Sequence, residues 1–279
     1  MLPLTAPLTD RQQREQDYHR DFAAKHDARA DQLVETDVIA DTARRPWNAL
    51  WSMYDRILAA GLGDRRVLVP GCGFGEDALR LARLGAQVSA FDISPEIIGI
   101  AERRARNFSP SAVAFGVMTA ERMDYPDDSF DAVVFVDILH HVDIAATMAE
   151  IRRVLKPGGL VIGDELYTHS ALQRVRDSTL VAGGLYPLMR KWIYRTDTPY
   201  ITADEHKIDQ HEFRIVQDSM ARCEADYFGV LEGRLFPYHI GWASRLDRAA
   251  MRVAGPIAPL LGSRVVFQGE NRKVVAAPR

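Results

Sequence analysis

Three glycines at alternate positions lie between an apolar run and a helical pattern. Gly71, Gly73 and Gly75 follow the apolar run at 67–70, and Asp92 ends the next apolar run. Glycine adopts backbone conformations that let a ligand approach the chain closely, and an acid at this distance can accept both hydroxyls of a ribose. The spacing therefore predicts a nucleotide-containing ligand at the ends of two neighbouring strands.

The residues after the glycines discriminate between nucleotides. A dinucleotide-binding turn has its third glycine where Glu76 stands, and Glu76 and Asp77 place two carboxylates where a pyrophosphate would sit. A ligand with cationic groups and no phosphate avoids that repulsion, which favours S-adenosylmethionine (SAM). An NAD-linked oxidoreductase is the rival interpretation. A Walker loop is excluded because no Gly-Lys-Ser or Gly-Lys-Thr follows.

Apolar runs alternate with helical patterns around this loop, which predicts βαβ units and a parallel sheet buried on both faces. We predict an α/β fold with a Rossmann-like, mostly parallel sheet of seven strands, a helical N-terminal segment and a cap insertion after strand five. Ser94 and Pro95 predict a helix start, and 156–159 a turn before strand five. The strands are predicted at 66–69, 87–91, 112–117, 132–136, 160–163, 227–231 and 264–268.

The same patterns divide the chain into four parts. Residues 1–63 are predicted to be helical and to form part of the cap, and 64–165 form the cofactor-binding core. Residues 166–222 are predicted to be the cap insertion, and 223–279 to complete the sheet with strands and a helix. Apolar residues at helical spacing predict one face of an N-terminal helix: Trp47, Leu50, Trp51, Tyr54 and Leu58.

The composition predicts one globular domain with insertions. The chain has 279 residues, of which 47% are apolar and 26% charged, with a formal net charge of -3. No general positive field results, so neither nucleic acid nor an anionic membrane is expected as a partner. Two cysteines are too few for a disulfide framework, and we find no signal segment or membrane-length apolar run. We expect a soluble, cytoplasmic protein and leave its oligomeric state open.

Four sequence motifs occur in order between residues 67 and 165: VLVPGCGFGEDAL, VSAFDISPEII, YPDDSFDAVVFVDILHHV and EIRRVLKPGGLVIGDE. Together they resemble the class I SAM-dependent methyltransferases, in the branch that includes the ubiquinone and menaquinone methyltransferases. The resemblance implies the class I methyltransferase fold, SAM as the methyl donor and S-adenosyl-L-homocysteine (SAH) as the product.

The resemblance also implies which residues contact the cofactor. The glycine turn would line the methionine end, Asp92 would bind the ribose, Ile93 would pack on the adenine, and Asp137 would close the pocket. The implied contacts are Gly71, Cys72, Gly73, Asp92, Ile93, Met118, Thr119, Ala120 and Asp137.

Two positions depart from the family pattern. Thr119 stands where an acidic residue usually contacts the adenine amine, which leaves its hydroxyl or Glu121 as substitutes. Pro70 replaces the acidic residue that commonly precedes the glycine turn. The contacts to the methionine ammonium are therefore expected to be built differently.

Ionisable residues follow strands four and five, at the edge where open α/β sheets bind ligands. Methyl transfer needs a general base only when the acceptor loses a proton, and histidine suits that role near neutral pH. The candidate catalytic residues are His140, Glu165 and His169, with His141 and Asp164 beside them. Each has the alternative of a positioning or structural role.

Aromatic and basic residues concentrate in the insertion 166–222. They are Tyr167, Tyr186, Arg190, Lys191, Trp192, Tyr194, Arg195 and Tyr200. They predict a cap over an apolar acceptor pocket, and the alternative is an ordinary excursion that packs on the domain. His206 and His211 are five residues apart and do not share a helical face, so no metal is predicted.

The acceptor class follows by exclusion. The segment 137–140, Asp-Ile-Leu-His, stands where enzymes that methylate base amines carry Asn-Pro-Pro-Tyr, which argues against a flipped base. A small-molecule acceptor is expected, with O-methylation slightly favoured over C- or N-methylation. The alternative from another class is a protein that keeps the SAM fold for a non-methylating role, as a cofactor-assisted cyclase or a cofactor-sensing subunit.

Overall fold

A single seven-stranded sheet organises the chain. The computed structural model describes residues 7–45, 48–108, 113–169, 174–175, 178–185, 207–230 and 240–272. The strands are β1 (Arg66–Pro70), β2 (Gln87–Asp92), β3 (Val113–Val117), β4 (Phe130–Val136), β5 (Leu155–Leu166), β6 (Met220–Phe228) and β7 (Arg264–Asn271). Their order is β3-β2-β1-β4-β5-β7-β6, and β7 runs antiparallel to both of its neighbours. The predicted mostly parallel, Rossmann-like α/β fold is confirmed.

Three helices connect parallel strands, and the others precede or follow them in the described part of the chain. The helices are α1 (Asp10–Lys25), α2 (Asp37–Ala40), α3 (Ala49–Ala60), α4 (Glu76–Arg83), α5 (Pro95–Phe108), α6 (Ile144–Val154), α7 (Gln210–Asp218), α8 (Gly241–Ala254) and α9 (Ala258–Leu261). As predicted, Ser94 caps α5, where its hydroxyl accepts a hydrogen bond from the Ile97 N–H at 3.2 Å. No helix within the described ranges is long and apolar enough to cross a membrane.

The strand order places a cleft beside β1. The chain leaves β1 toward β2 and β3 on one side, and returns to β4 on the other side, so the helices after β1 and β4 diverge. Open α/β sheets bind ligands at the carboxyl ends of strands where the order reverses in this way. Helix α1 packs against α5, and Phe22 of α1 stacks on Phe74 of the glycine loop with ring centroids 5.6 Å apart. The N-terminal segment therefore lies next to this edge of the sheet.

Two strands, β5 and β6, differ most from their predicted bounds. β5 begins at Leu155 and includes the predicted turn at 156–159, because Leu155 pairs with Phe130 and Leu160 with Ala132. The extra residues form a bulge, with Gly158 at a φ of +71°. β6 begins at Met220, inside the predicted insertion, and it is an edge strand whose charged residues hide the apolar pattern.

The predicted apolar face of the N-terminal helix is partly wrong. Trp51 and Tyr54 are buried in α3, but Leu58 is 39% exposed, because Met53 and Ile57 fill the core instead. Trp47 lies outside the described residues. Tyr167, predicted as part of the cap, is a core residue that contacts the rings of Phe213 and Tyr227 at 6.2 and 5.1 Å between centroids.

Candidate active site

A cavity of about 370 Å³ lies at the carboxyl ends of β1, β2 and β4. Most of the predicted cofactor contacts line it: Gly71, Gly73, Asp92, Ile93, Met118, Thr119, Ala120 and Asp137. Helix α1 provides the opposite wall with Arg11, Gln12, Glu15 and His19. The sequence motifs therefore locate the sheet side of the cavity, whereas nothing in them indicates the contribution of α1.

The glycine loop has the backbone conformation that its sequence predicts. Gly71, Gly73 and Gly75 have φ angles of +59°, +52° and +83°. A Cβ atom on Gly71 would lie 2.5 Å from Cδ1 of Ile138, so the loop passes too close to the segment after β4 for any side chain. Cys72 is buried behind the loop, its Sγ lies 3.7 Å from the Gly73 carbonyl oxygen, and burial raises the pKa of its thiol well above the ordinary value. Cys72 is not among the described residues that line the cavity, and its predicted place at the methionine end stays a prediction.

Asp92 joins the first two loops at the floor of the cavity. Its Oδ2 accepts a hydrogen bond from the Gly73 N–H, and its Oδ1 accepts one from the Ser94 N–H, both at 3.1 Å. Each carboxylate oxygen has two acceptor sites, so one site on each oxygen is left for a ligand. This is the arrangement that a pair of vicinal ribose hydroxyls requires.

The two carboxylates at the start of α4 form ion pairs with arginines, and one of them also accepts a hydrogen bond from a hydroxyl. Glu76 Oε1 lies 2.5 Å from Arg104 and 3.2 Å from Arg29, and Asp77 accepts hydrogen bonds from Tyr54 and Arg80 at 2.6 and 2.9 Å. Because both carboxylates have partners, their repulsion of a pyrophosphate is weaker than the sequence suggests. The absence of a third glycine at position 76 still argues against a dinucleotide.

An ion-pair network holds the end of β4. Asp137 has a φ of +52°, unusual for a residue with a side chain, and its Oδ1 accepts a hydrogen bond from Arg264 Nη2 at 2.8 Å. Arg264 also donates to Asp164 at 2.9 Å. Burial raises the pKa of Asp164 to about 6, against the opposing effect of Arg264. Burial would lower the pKa of Arg264, but the two carboxylates raise it above its ordinary value. Sequence reasoning missed Arg264, which lies 127 residues from Asp137.

The structure brings two of the three candidate catalytic residues together. His140 lines the cavity, and its Nδ1 lies 2.5 Å from Oε1 of Glu165. Glu165 is fully buried behind His140 and also accepts hydrogen bonds from the Leu139 and Leu166 N–H groups at 2.7 and 2.8 Å. With Glu165 as the acceptor of this contact, the hydrogen is assigned to His140 Nδ1. His169 is not among the described residues that line the cavity, and its role as a base stays an untested prediction.

Glu121 anchors α1. Its Oε1 accepts hydrogen bonds from the Arg11 guanidinium and, at 3.1 Å, from the Asp143 N–H, and its Oε2 accepts one from Gln12 Nε2 at 3.0 Å. Both oxygens therefore serve the docking of the helix, and because Glu121 lines the cavity as Thr119 does, both remain substitutes for the usual acidic contact.

One group of residues has the composition of a metal site. Asp137, His140 and Glu165 each place a ligand atom within 4.8 Å of the other two. An ion there would have to compete with the Glu165–His140 hydrogen bond and share Asp137 with Arg264, so the hydrogen-bonded arrangement is the better description of these residues. His211 is exposed at the start of α7, and His206 lies outside the described residues. The prediction of no metal remains untested.

Comparison with known proteins finds similarity to methyltransferases over the middle of the chain. Residues 68–163 match the family described as "Methyltransferase domain". The ubiquinone biosynthesis O-methyltransferase of Methylocella silvestris is 36% identical over 113 residues, which are 40% of this chain and 44% of that protein. The demethylmenaquinone methyltransferase of Tropheryma whipplei is 37% identical over 108 residues, 38% of this chain and 44% of that protein. This chain thus spans about half the length of the curated relatives it matches.

A solved structure matches over more of the fold. The geranyl diphosphate C-methyltransferase of Streptomyces coelicolor A3(2), crystallised with Mg²⁺, geranyl diphosphate and SAH, has a TM-score of 0.56 at 17% identity, over 95% of this chain and 100% of that chain. A structural similarity at 17% sequence identity shows a shared fold and nothing more. The shared architecture therefore extends beyond the matched domain at 68–163.

Proposed function

We propose that this chain, whose core belongs to the class I SAM-dependent methyltransferases, binds SAM and transfers its methyl group to a small-molecule acceptor. The observation that carries the proposal is Asp92, which bridges the glycine turn and the start of α5 and keeps one acceptor site on each carboxylate oxygen for a ribose. The cavity around Asp92 has about 370 Å³, enough for a nucleoside with a side chain.

The remaining cofactor contacts follow from their places in the cavity wall. Ile93 and the segment Met118, Thr119 and Ala120 form the adenine end, beyond β2 and β3. Gly71 and Gly73 form the methionine end, where Asp137, held by Arg264, supplies a carboxylate for the ammonium group. Asp137 thereby takes the place of the acidic residue that Pro70 replaces.

The chain contributes alignment and a base to the reaction. When bound, SAM supplies an electrophilic methyl group on a sulfonium. The cavity walls hold the acceptor in line with that group and exclude water, which provides much of the acceleration of a displacement reaction. His140 accepts the proton of an acceptor hydroxyl at Nε2, and Glu165 fixes the ring and stabilises the imidazolium that results. Glu165 is a positioning residue, since it is buried behind His140.

The base makes O-methylation the favoured reaction. A hydroxyl oxygen must lose its proton as it takes the methyl group, and a buried imidazole–carboxylate pair beside the cavity serves that step. The resemblance to a ubiquinone biosynthesis O-methyltransferase supports a ring hydroxyl on a quinone precursor or a similar apolar compound as the acceptor. The cap predicted to bind that compound lies largely outside the described residues, and its role remains part of this proposal.

A thermal-shift comparison tests the cofactor assignment against the NAD-linked rival. At about 100 times its dissociation constant, SAH should stabilise the protein by about 2.7 kcal/mol and raise Tm by about 5–10 °C. NAD⁺ and NADH at the same concentration should leave Tm unchanged, because Glu76 occupies the third glycine position. A shift with NAD⁺ and none with SAH or SAM would refute the cofactor assignment.

A further inference from the structure

A carboxylate on α1 lies beside His141, the residue that follows His140. Glu15 lines the cavity, and only 4% of its surface is exposed. Its Oε2 lies 3.2 Å from Nδ1 of His141 and 3.8 Å from Nε2 of His19. A buried carboxylate is costly unless it interacts with polar or cationic groups, and here those groups are imidazoles.

His141 forms a second imidazole–carboxylate pair beside the first. It lines the cavity, its side chain is 14% exposed, and its ring centroid lies 4.1 Å from that of His140. The contact of Glu15 with His141 Nδ1 has an ion-pair distance without hydrogen-bond geometry, whereas Glu165 forms a hydrogen bond with His140 Nδ1. Two neighbouring imidazoles thus each have a carboxylate beside Nδ1, one from β5 and one from α1.

The position of Glu15 is fixed by polar contacts on both sides of it. Arg11 donates hydrogen bonds to Glu121 and to the His141 carbonyl oxygen, and Gln16 Nε2 donates to the Ile93 carbonyl oxygen at 2.9 Å. A Thr9 capping box fixes the start of the helix. The buried face of α1 carries Gln12 and Glu15 with Ala23, which is the reverse of the apolar face expected of a helix that only covers a core.

We propose that Glu15 is a positioning residue for catalysis and acts through His141. Through its contact with His141 Nδ1, Glu15 fixes the His141 ring against the ring of His140 and so holds the base in place. The N-terminal helix thereby completes the catalytic site. This inference rests on the proposed methyl transfer to a hydroxyl.

The test compares Glu15→Gln with a matched variant on the same helix. Asp17→Asn also removes one negative charge from α1, but the Asp17 side chain is 45% exposed and contacts Gln13 and Arg20. We expect Glu15→Gln to lower kcat about 10-fold, a part of the whole acid–base contribution, with KM for SAM and Tm close to those of the parent. Asp17→Asn should behave as the parent does, and Glu15→Asp should recover part of the loss because it restores the charge.

A double-mutant cycle shows whether Glu15 acts through His141. His141→Gln and the double variant Glu15→Gln/His141→Gln should have the same kcat, because the carboxylate has no imidazole left to orient. Nitrogen NMR of histidine-labelled protein should show His141 protonated at Nδ1 in the parent and at mixed sites in Glu15→Gln. Additive losses in the cycle, or a parent-like kcat and tautomer in Glu15→Gln, overturn the inference.

The proposed function and the role of Glu15 would fail in different measurements. A parent protein that methylates no acceptor contradicts the proposed function, and the NMR measurement then still decides the Glu15–His141 contact. A parent that methylates normally alongside an equally active Glu15→Gln contradicts this inference alone. If Glu15→Gln unfolds, the role of Glu15 is structural and the inference is wrong.

Discussion

His140→Ala is expected to lower kcat for a hydroxyl acceptor by about 10²–10⁴-fold, the range that a positioned general base contributes. The imidazole lines the cavity, its Nδ1 lies 2.5 Å from Oε1 of Glu165, and the proposed mechanism uses Nε2 as the proton acceptor. The affinity for SAH should change little, because the proposed cofactor contacts come from the loops after β1, β2 and β3 and from Asp137. Single-turnover kinetics with saturating SAM measures the effect.

His211→Ala is the matched control for this variant. His211 is exposed on α7 and is not one of the described residues that line the cavity, so its removal should leave kcat at the parent value. Glu165→Gln should reduce kcat in the same direction as His140→Ala. It should also lower Tm, because an amide group cannot accept from all three N–H donors around Glu165. A His140→Ala variant with kcat within about twofold of the parent would remove His140 from the mechanism.

Asp92→Ala is expected to weaken SAH binding by about 1–3 kcal/mol, roughly 5- to 150-fold, through the loss of a charged acceptor of hydrogen bonds. The same carboxylate holds the Gly73 and Ser94 N–H groups, so the variant should also lose about 1–3 kcal/mol of unfolding free energy. Calorimetric titration with SAH, well below the midpoint of thermal unfolding, measures the affinity. Urea unfolding measures the stability.

Glu96→Gln provides the comparison for Asp92→Ala. Glu96 is an exposed carboxylate in the first turn of α5 that accepts a hydrogen bond from the Ser94 hydroxyl at 2.9 Å, and it does not line the cavity. The affinity of the Glu96→Gln variant for SAH should equal that of the parent. Parent-like affinity in Asp92→Ala would show that Asp92 has only its structural role, as the acceptor for two backbone groups.

The sequence predicts the sheet side of the site well, because its signals are local. Glycine spacing, the acid that ends β2 and the residues after β4 are each set by a few neighbouring positions, and a parallel sheet brings the carboxyl ends of its strands to one edge. The same spacing predicts that Cys72 lines the methionine end with Gly71 and Gly73, but Cys72 is buried and is not among the described residues that line the cavity. Local spacing locates a loop but does not decide which of its side chains face the ligand.

The rest of the site depends on long-range contacts that have no local signal. Arg264 reaches Asp137 and Asp164 from the last strand, and Glu15 reaches His141 from the first helix. In sequence, α1 is a charged segment, and its buried Gln12 and Glu15 are indistinguishable from its exposed polar residues. β6 was missed at 220–226 for a related reason: an edge strand tolerates charged residues that disrupt the apolar alternation.

Transfer of a deuterated methyl group is the most direct test of methyltransferase activity. The parent protein is incubated with methyl-deuterated SAM and an extract of small molecules that contains hydroxylated ring compounds, and the products are analysed by mass spectrometry beside His140→Ala. The account predicts that a small hydroxylated compound gains the deuterated methyl on oxygen in equal amount to the SAH formed, with the parent far ahead of the variant. SAH bound tightly by the protein with no labelled compound in the extract, or an acceptor rearranged without gaining a methyl group, would contradict it and favour a sensing subunit or a cyclase.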